Sequence, residues 1–197
     1  MAVDIKATKV VTGECLLSYV NVFKPRLGVN GQPGKYGVTI LIPKTDTATK
    51  ARIDAAIKAA IEQAVTSKWN GQKPAKIAEV LHDGDGGRPS DGLPYGEECK
   101  GHWVLNASAG LEYPPKVFDK KVQPIIDQSE VYSGIYGIAS INFYGYLANG
   151  KKGVSAGLNG IQKLRDGVPL SGAGNVAADF TATEDTQEVD PITGEPI

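Results

Sequence analysis

Apolar positions along the chain follow two periodicities, which separate one helix from a set of strands. Read with period two, EVYSGIYGIASINFYGYLA (130–148) places Val131, Ile135, Ala139, Ile141, Phe143 and Leu147 on one face. The other face carries Tyr132, Tyr136, Tyr144 and Tyr146. That alternation predicts a long strand with an aliphatic face for a core and a phenolic face outside. Gly134, Gly137 and Gly145 would allow it to bend. Further strands are expected at ECLLSYVNVF (14–23), YGVTILIPK (36–44), WVLNASAG (103–110) and GVSAGLNGIQKL (153–164). Between the first two lies KPRLGVNGQPGK (24–35), rich in Pro and Gly and charged only positively, so the pair reads as a hairpin with a long basic connection. ANGKKG (148–153) reads as a turn with two lysines, and EYPPKVFD and VQPII as short extended pieces.

Helical periodicity appears once. In TDTATKARIDAAIKAAIEQAVTSKW (45–69), Ile53, Ile57 and Ile61 recur every fourth residue beside Ala56, Ala60, Ala64 and Val65. They form one apolar stripe, so a principal helix over 45–68 is expected to dock on a sheet, with Asp46 or Thr47 as its N-cap. Residues 70–102 are dominated by Gly, Pro, Asp and Lys and read as a long loop in which KIAEVL forms a short helix. From Gly167 the composition turns to Pro, Gly, Ala, Thr and acids, which predicts a flexible end. The organisation expected is a domain over 1–178 and an acidic tail over 179–197.

Charge adds an asymmetry to this picture. Through Arg165, the last basic residue, 21 Lys and Arg face 15 Asp and Glu, a balance of +6 that the 7 later acids turn into −1. A basic body with an acidic end fits a body that binds a polyanion. At 197 residues and 41% hydrophobic content the chain suits a globular domain, and no apolar run approaches the length of a membrane span. The N-terminal MAVDIKATKVV has no uninterrupted apolar stretch, so a secretory signal is not expected. Cys15 and Cys99 are too few for a disulfide framework. A reduced cytoplasmic setting and no membrane partner are therefore expected.

The chemistry that the residues favour is stacking on unpaired bases. Single strands are held by aromatic faces and by cations that follow the phosphates. Phe23, Lys24, Arg26, Lys35 and Tyr36 cluster around the first hairpin; Lys151 and Lys152 follow the tyrosine strand; Lys163 and Arg165 end the next strand. Aromatic and basic residues thus interleave at three junctions of strand and loop. Cys99 and His102 have C-x-x-H spacing, which Cys15 or His82 would have to complete for zinc, and only half of a usual zinc pattern is present. DGDGG (83–87) lacks the later ligands of a calcium loop, while Asp83, Asp85 and Asp91 could gather around magnesium for nuclease chemistry. No G-x-S-x-G elbow, phosphate-binding loop or dinucleotide fingerprint is present, so nothing in the sequence supports an enzyme, and no cofactor is required.

Four segments in this order, NVFKPR (21–26), KYGVTILIPK (35–44), VYSGIYGIASINFYGY (131–146) and GVSAGLNGIQKLRDG (153–167), resemble a family of bacteriophage single-stranded DNA-binding proteins. The resemblance spans roughly residues 14 to 180. It implies a mainly β fold with one principal α-helix, an OB-type five-stranded barrel with long loop insertions. It implies sequence-tolerant binding of single-stranded DNA, with dimeric or cooperative assembly, in phage replication and recombination. Phe23, Lys24, Arg26, Lys35, Tyr36, Tyr132, Tyr136, Tyr144 and Tyr146 match the family's strand and loop motifs, and Lys151, Lys152, Lys163 and Arg165 join them as expected phosphate contacts. Phage or host replication proteins are implied as partners of the tail. This tail, however, is sparsely acidic and closes in Glu195-Pro196-Ile197 rather than in a dense acidic run ending in an aromatic residue. The alternative from another class is a phage structural or assembly protein whose tyrosine face packs against other subunits.

Overall fold

The computed structural model describes residues 5–28 and 31–170, so the expected acidic tail, 179–197, lies outside the described residues. In chain order the elements are α1 (Ile5–Thr8), β1 (Lys9–Val11), β2 (Cys15–Asn21), β3 (Tyr36–Pro43), α2 (Thr47–Ser67), β4 (Leu81–Asp83), β5 (His102–Ala109), β6 (Lys116–Phe118), β7 (Tyr136–Ala148) and β8 (Lys151–Arg165). Strand neighbours run β7-β2-β3-β5-β8, and β8 pairs again with β7, so five strands close a ring. The ring is irregular. Parallel β5 and β8 meet only at Ala107↔Ala156 and Ser108↔Gly157, and β2 meets β7 only at Cys15↔Gly137 and Leu16↔Tyr136. β1 extends β7, β6 extends β8, and β4 extends β5. The fold is thus mainly β with one main helix, as expected.

The interior follows the period-two alternation. Ile135, Ala139, Ile141 and Phe143 of the β7 region are at most 1% exposed and pack with Leu17, Ile40, Leu105 and Ile161 from the other ring strands. Leu147, assigned to the same face, is 51% exposed, because β7 there has run past the core into the hairpin end. That hairpin turns at Asn149 (φ 49) and Gly150 (φ 74). Two successive left-handed residues match strand twist in a two-residue turn, and Asn-Gly is suited to it. The turn is therefore tighter than 148–153, and Lys151 and Lys152 belong to β8.

α2 buries Ile53, Ala56, Ala60 and Ala64 against the ring, with Ile57 and Ile61 at the margin. Alanines bring its backbone close to β7: a Cβ on Gly145 would sit 2.1 Å from the Ala64 Cβ. Gly145 is thus required by helix contact rather than by strand bending. Asp46 caps the helix by accepting the Thr49 N–H at 2.9 Å, while the Thr49 hydroxyl accepts the Gly13 N–H and ties in the β1–β2 connection. At the other end Trp69, 1% exposed, donates its Nε1–H to the Tyr146 carbonyl at 3.0 Å.

The segment 70–102 differs from expectation. KIAEVL forms no helix; Ile77, Val80 and Leu81 pack at the core margin, and Leu81–Asp83 pairs with β5. Six residues are too few to nucleate a helix without tertiary support, whereas an open strand edge supplies hydrogen bonds at once. The remainder folds over the outside of the sheet, where Cys99 and Tyr95 cover a cross-strand row of Leu16, Leu41 and Val104. Lys44 fixes this cover, bridging Asp83 at 2.5 Å and Asp85 at 2.6 Å. Asp91 pairs instead with Arg88 at 2.9 Å, so the three aspartates do not gather into one site. Among the described residues no helix is long and apolar enough to cross a membrane.

Two tests concern this scaffold. Thr49 hydrogen bonds hold the Asp46 carboxyl below its ordinary range, so the cap's contribution is complete above the unfolded carboxyl pKa and is lost as pH falls through the folded one. Asp46→Ala should cost about 1 kcal/mol near neutral pH. In thermal unfolding the gap to the native chain should shrink in acid, whereas Asp46→Asn should show little of that pH dependence. Burial pushes the Cys15 thiol up to about 12 and the Cys99 thiol to about 11. Both should therefore resist thiol-specific labelling near neutral pH in the native state and react promptly in denaturant, which a quenched labelling time course would record.

Candidate nucleic-acid interface

Beyond the Cys99–Tyr95 cover, the outer face of β3 and β5 is open and polar. Thr39 and Asn106 form one cross-strand row, which the buried Ser18 continues on β2, and Gly37, Ser108 and Gly157 form the next. The Thr39 hydroxyl donates to Asn106 Oδ1 at 2.7 Å, which leaves the amide's NH2 group for an outside acceptor. Ser155 on β8 adds to this floor and stands directly across from Tyr144 on β7. The walls of the resulting groove, about 420 Å³, come from Tyr19, from Arg26, Leu27, Gly28, Gly34 and Lys35 of the 22–35 connection, and from Tyr36 at the start of β3. In an OB-type barrel the second and third ring strands, with the loops joining strands one to two and four to five, are where oligonucleotides lie. Here those parts are β3, β5, the 22–35 connection and the Asn149-Gly150 turn.

The described residues of the basic connection continue the hairpin. Arg26 N–H donates to the Lys35 carbonyl at 3.0 Å, Gly34 N–H to the Arg26 carbonyl at 2.7 Å, and Gly28 N–H to the Gln32 carbonyl at 2.8 Å. Arg26 and Lys35 are thereby neighbours at its base. Lys24, Arg26 and Lys35 are exposed, and among the described residues none is paired with a carboxylate. Phe23 is half-buried and packs on the core margin, as does Tyr36 while still lining the groove.

The remaining expected residues fall in two other places. At the far end of β7, Arg165 lies over the Tyr136 ring with its Cζ 3.5 Å from the centroid and pairs with Glu14 at 2.7 Å. Beside it Lys163 pairs with Asp166 at 2.8 Å, and Tyr132 donates its hydroxyl to Asp166 and to the Gly167 carbonyl. The Glu14 hydrogen bond pushes the Arg165 pKa up, and Lys163 holds the Asp166 carboxyl down. These cations already have anions.

Tyr136 and Tyr144 are eight residues apart on one strand, about 26 Å at 3.3 Å per residue, so the tyrosine face is not one platform. Near the hairpin end Tyr144 is 36% exposed, with Lys68 Nζ 5.9 Å from its ring centroid. Tyr146 lies against Gly153, and Lys152 Nζ binds the Trp69 and Gln72 carbonyls beyond the helix. Lys151 is exposed.

Thus the structure joins Arg26, Lys35 and Tyr36 in one groove, with Lys24 next to it in the chain and Tyr144 at its β8–β7 side. It sets Tyr132, Tyr136, Lys163 and Arg165 apart. Sequence reasoning passed over Tyr19, Thr39, Asn106, Ser108, Ser155 and Lys68. Small polar residues on a strand carry no signal until pairing places them in one row, and Tyr19 sits in a bulge that breaks the alternation.

Comparison with known proteins agrees with this architecture. Residues 8–190 match the family described as Enterobacter phage Enc34, ssDNA-binding protein. Protein p50 of Acyrthosiphon pisum secondary endosymbiont phage 1 is 34% identical over 177 residues, 84% of this chain and 88% of that protein. The solved structure of the single-stranded DNA-binding protein from bacteriophage Enc34 in complex with ssDNA is similar at a TM-score of 0.66 and 27% identity, covering 84% of this chain and 91% of that one. Gp2.5, a single-stranded DNA-binding protein encoded by bacteriophage T7, shares the fold at a TM-score of 0.57 and 14% identity, over 91% of this chain and 98% of its own. With the family match extending over nearly the whole ring and helix, the chain belongs to the family of the phage Enc34 single-stranded DNA-binding protein.

Proposed function

We propose that this chain binds single-stranded DNA across the β3–β5 groove without sequence preference. The observation that carries this reading is the juxtaposition of Arg26 and Lys35, neither paired with a carboxylate among the described residues, with an open, polar floor on β3, β5 and β8. Phosphates would follow Lys24, Arg26 and Lys35, releasing counterions. Bases would lie toward Tyr36 and the Thr39–Asn106 row, and further along toward Tyr144 and Lys68. Coating of this kind protects single strands and keeps them from re-pairing, the role a phage needs in replication and recombination within the host cytoplasm. The site calls for no bond-breaking step. Tyr132, Tyr136, Lys163 and Arg165 act on this reading as a clasp that holds residues 166–170 to the barrel, and Lys152 as a tie between hairpin and helix.

Titration of a labelled oligonucleotide against the protein at several salt concentrations tests the assignment. Arg26→Ala and Lys35→Ala should each weaken binding and reduce the slope of log K against log salt by about 0.7. Lys163→Ala should leave the slope unchanged. Binding to duplex as tight as to single strands, or a slope indifferent to Arg26 and Lys35, would defeat the reading; a DNA-independent oligomer that ignores oligonucleotide would favour an assembly role.

A further inference from the structure

Between Ser18↔Thr39 and Asn21↔Gly37, β2 has one residue more than β3. The extra residue includes Tyr19 in a left-handed conformation, φ 48, which is sterically costly for a bulky L side chain. Tyr19 is 62% exposed and lines the groove, while Ser18 before it is buried and Val20 and Asn21 after it are half-buried. The bulge is held from two sides. Asn21 Nδ2 donates to the Tyr19 carbonyl at 2.8 Å, and Val20 N–H donates to Ser133 Oγ at 3.1 Å. Ser133 is itself anchored: its carbonyl accepts the Leu170 N–H at 2.8 Å, and the next residue, Gly134, donates to the Leu17 carbonyl at 2.8 Å. Gly134 (φ 119) admits no side chain, because a Cβ there would meet the Val168 carbonyl oxygen at 2.0 Å.

A mostly exposed ring adds little to the core, and a left-handed bulge position is met at lower cost by Gly or Asn. Folding alone therefore does not account for Tyr19, whereas a groove that must offer a ring face to solvent does. Strained residues held fast by their surroundings concentrate at binding sites for this reason. We propose that Tyr19 is a base-stacking residue of the groove, preset by the β2 bulge, and that Ser133 is the positioning residue that holds the bulge. The proposal rests on the groove being the single-strand site, and it adds a contact that neither charge nor strand alternation marks.

The test compares Tyr19→Ala, Tyr19→Phe, Tyr19→Gly and Ser133→Ala in oligothymidylate binding and thermal unfolding, with Arg26→Ala alongside. Tyr19→Ala should weaken binding roughly tenfold and Tyr19→Phe should restore it, as loss of one stacked base requires. Tyr19→Gly should bind as weakly as Tyr19→Ala while unfolding at the native temperature or above it, which separates strain from stability. Ser133→Ala should weaken the native chain but add nothing to Tyr19→Ala, an outcome a general structural defect would not give. Unchanged affinity in Tyr19→Ala while Arg26→Ala is weakened would overturn the role of Tyr19 and leave the groove standing. Binding that none of these substitutions alters would overturn both.

Discussion

The β7–β8 ladder is the constraint on which the rest of the molecule depends. It runs from Tyr136↔Arg165 to Ala148↔Lys151, and each of its two outer edges is shared by two further strands. β7 carries β2 and β1 on its free side, and β8 carries β5 and β6 on its own. The ring closes through this ladder, because the β2–β7 and β5–β8 contacts are each only two residue pairs wide. A hairpin that forms early from neighbours in sequence would hold both short contacts in reach. Its two ends are also anchored to different parts of the chain, Trp69 and Gln72 at the turn and residues 166–167 at the other end.

The same ladder divides the basic residues by environment. Where β8 ends, lysine and arginine meet Asp166 and Glu14, and ion pairs of this exposure contribute little to stability while lowering the local attraction for phosphate. Across the barrel, the 22–35 connection keeps Arg26 and Lys35 side by side, and among the described residues no carboxylate pairs with either. Like charges held together in the free protein are unfavourable, and a bound polyanion relieves them. The field of the molecule is therefore set less by its overall balance than by which cations the fold has left uncompensated.

Much of this was legible in the chain. The aliphatic face of β7 and the Ile53-Ile57-Ile61 stripe follow directly from side-chain spacing, and Asp46 behaves as the cap its chemistry suggested. Of the four even-numbered tyrosines, Tyr144 is exposed, Tyr136 and Tyr146 are half-buried, and Tyr132 precedes β7 and packs at the core margin, so alternation alone does not bring them together. KIAEVL shows no helix because Ile77, Val80 and Leu81 pack on the core margin and Leu81 joins the edge of β5, contacts that come from elsewhere in the chain. The cover of Cys99 and Tyr95 over Leu16, Leu41 and Val104 left no periodic trace, since its residues come from four separate segments. Pairing registers and bulges are three-dimensional facts, and Thr39, Asn106 and Tyr19 acquire meaning only through them.

That cover has a consequence for how long a stretch of polymer the barrel can accommodate. On the outer face of β3 and β5 it occupies the end nearest Pro43 and His102, and only the end toward Tyr36 and Ala109 stays accessible. A flexible polyanion lying there cannot proceed along the strand axis. On the proposed reading its path turns across the strands toward β8 and β7, set by a steric roof at one side as much as by attraction at the other.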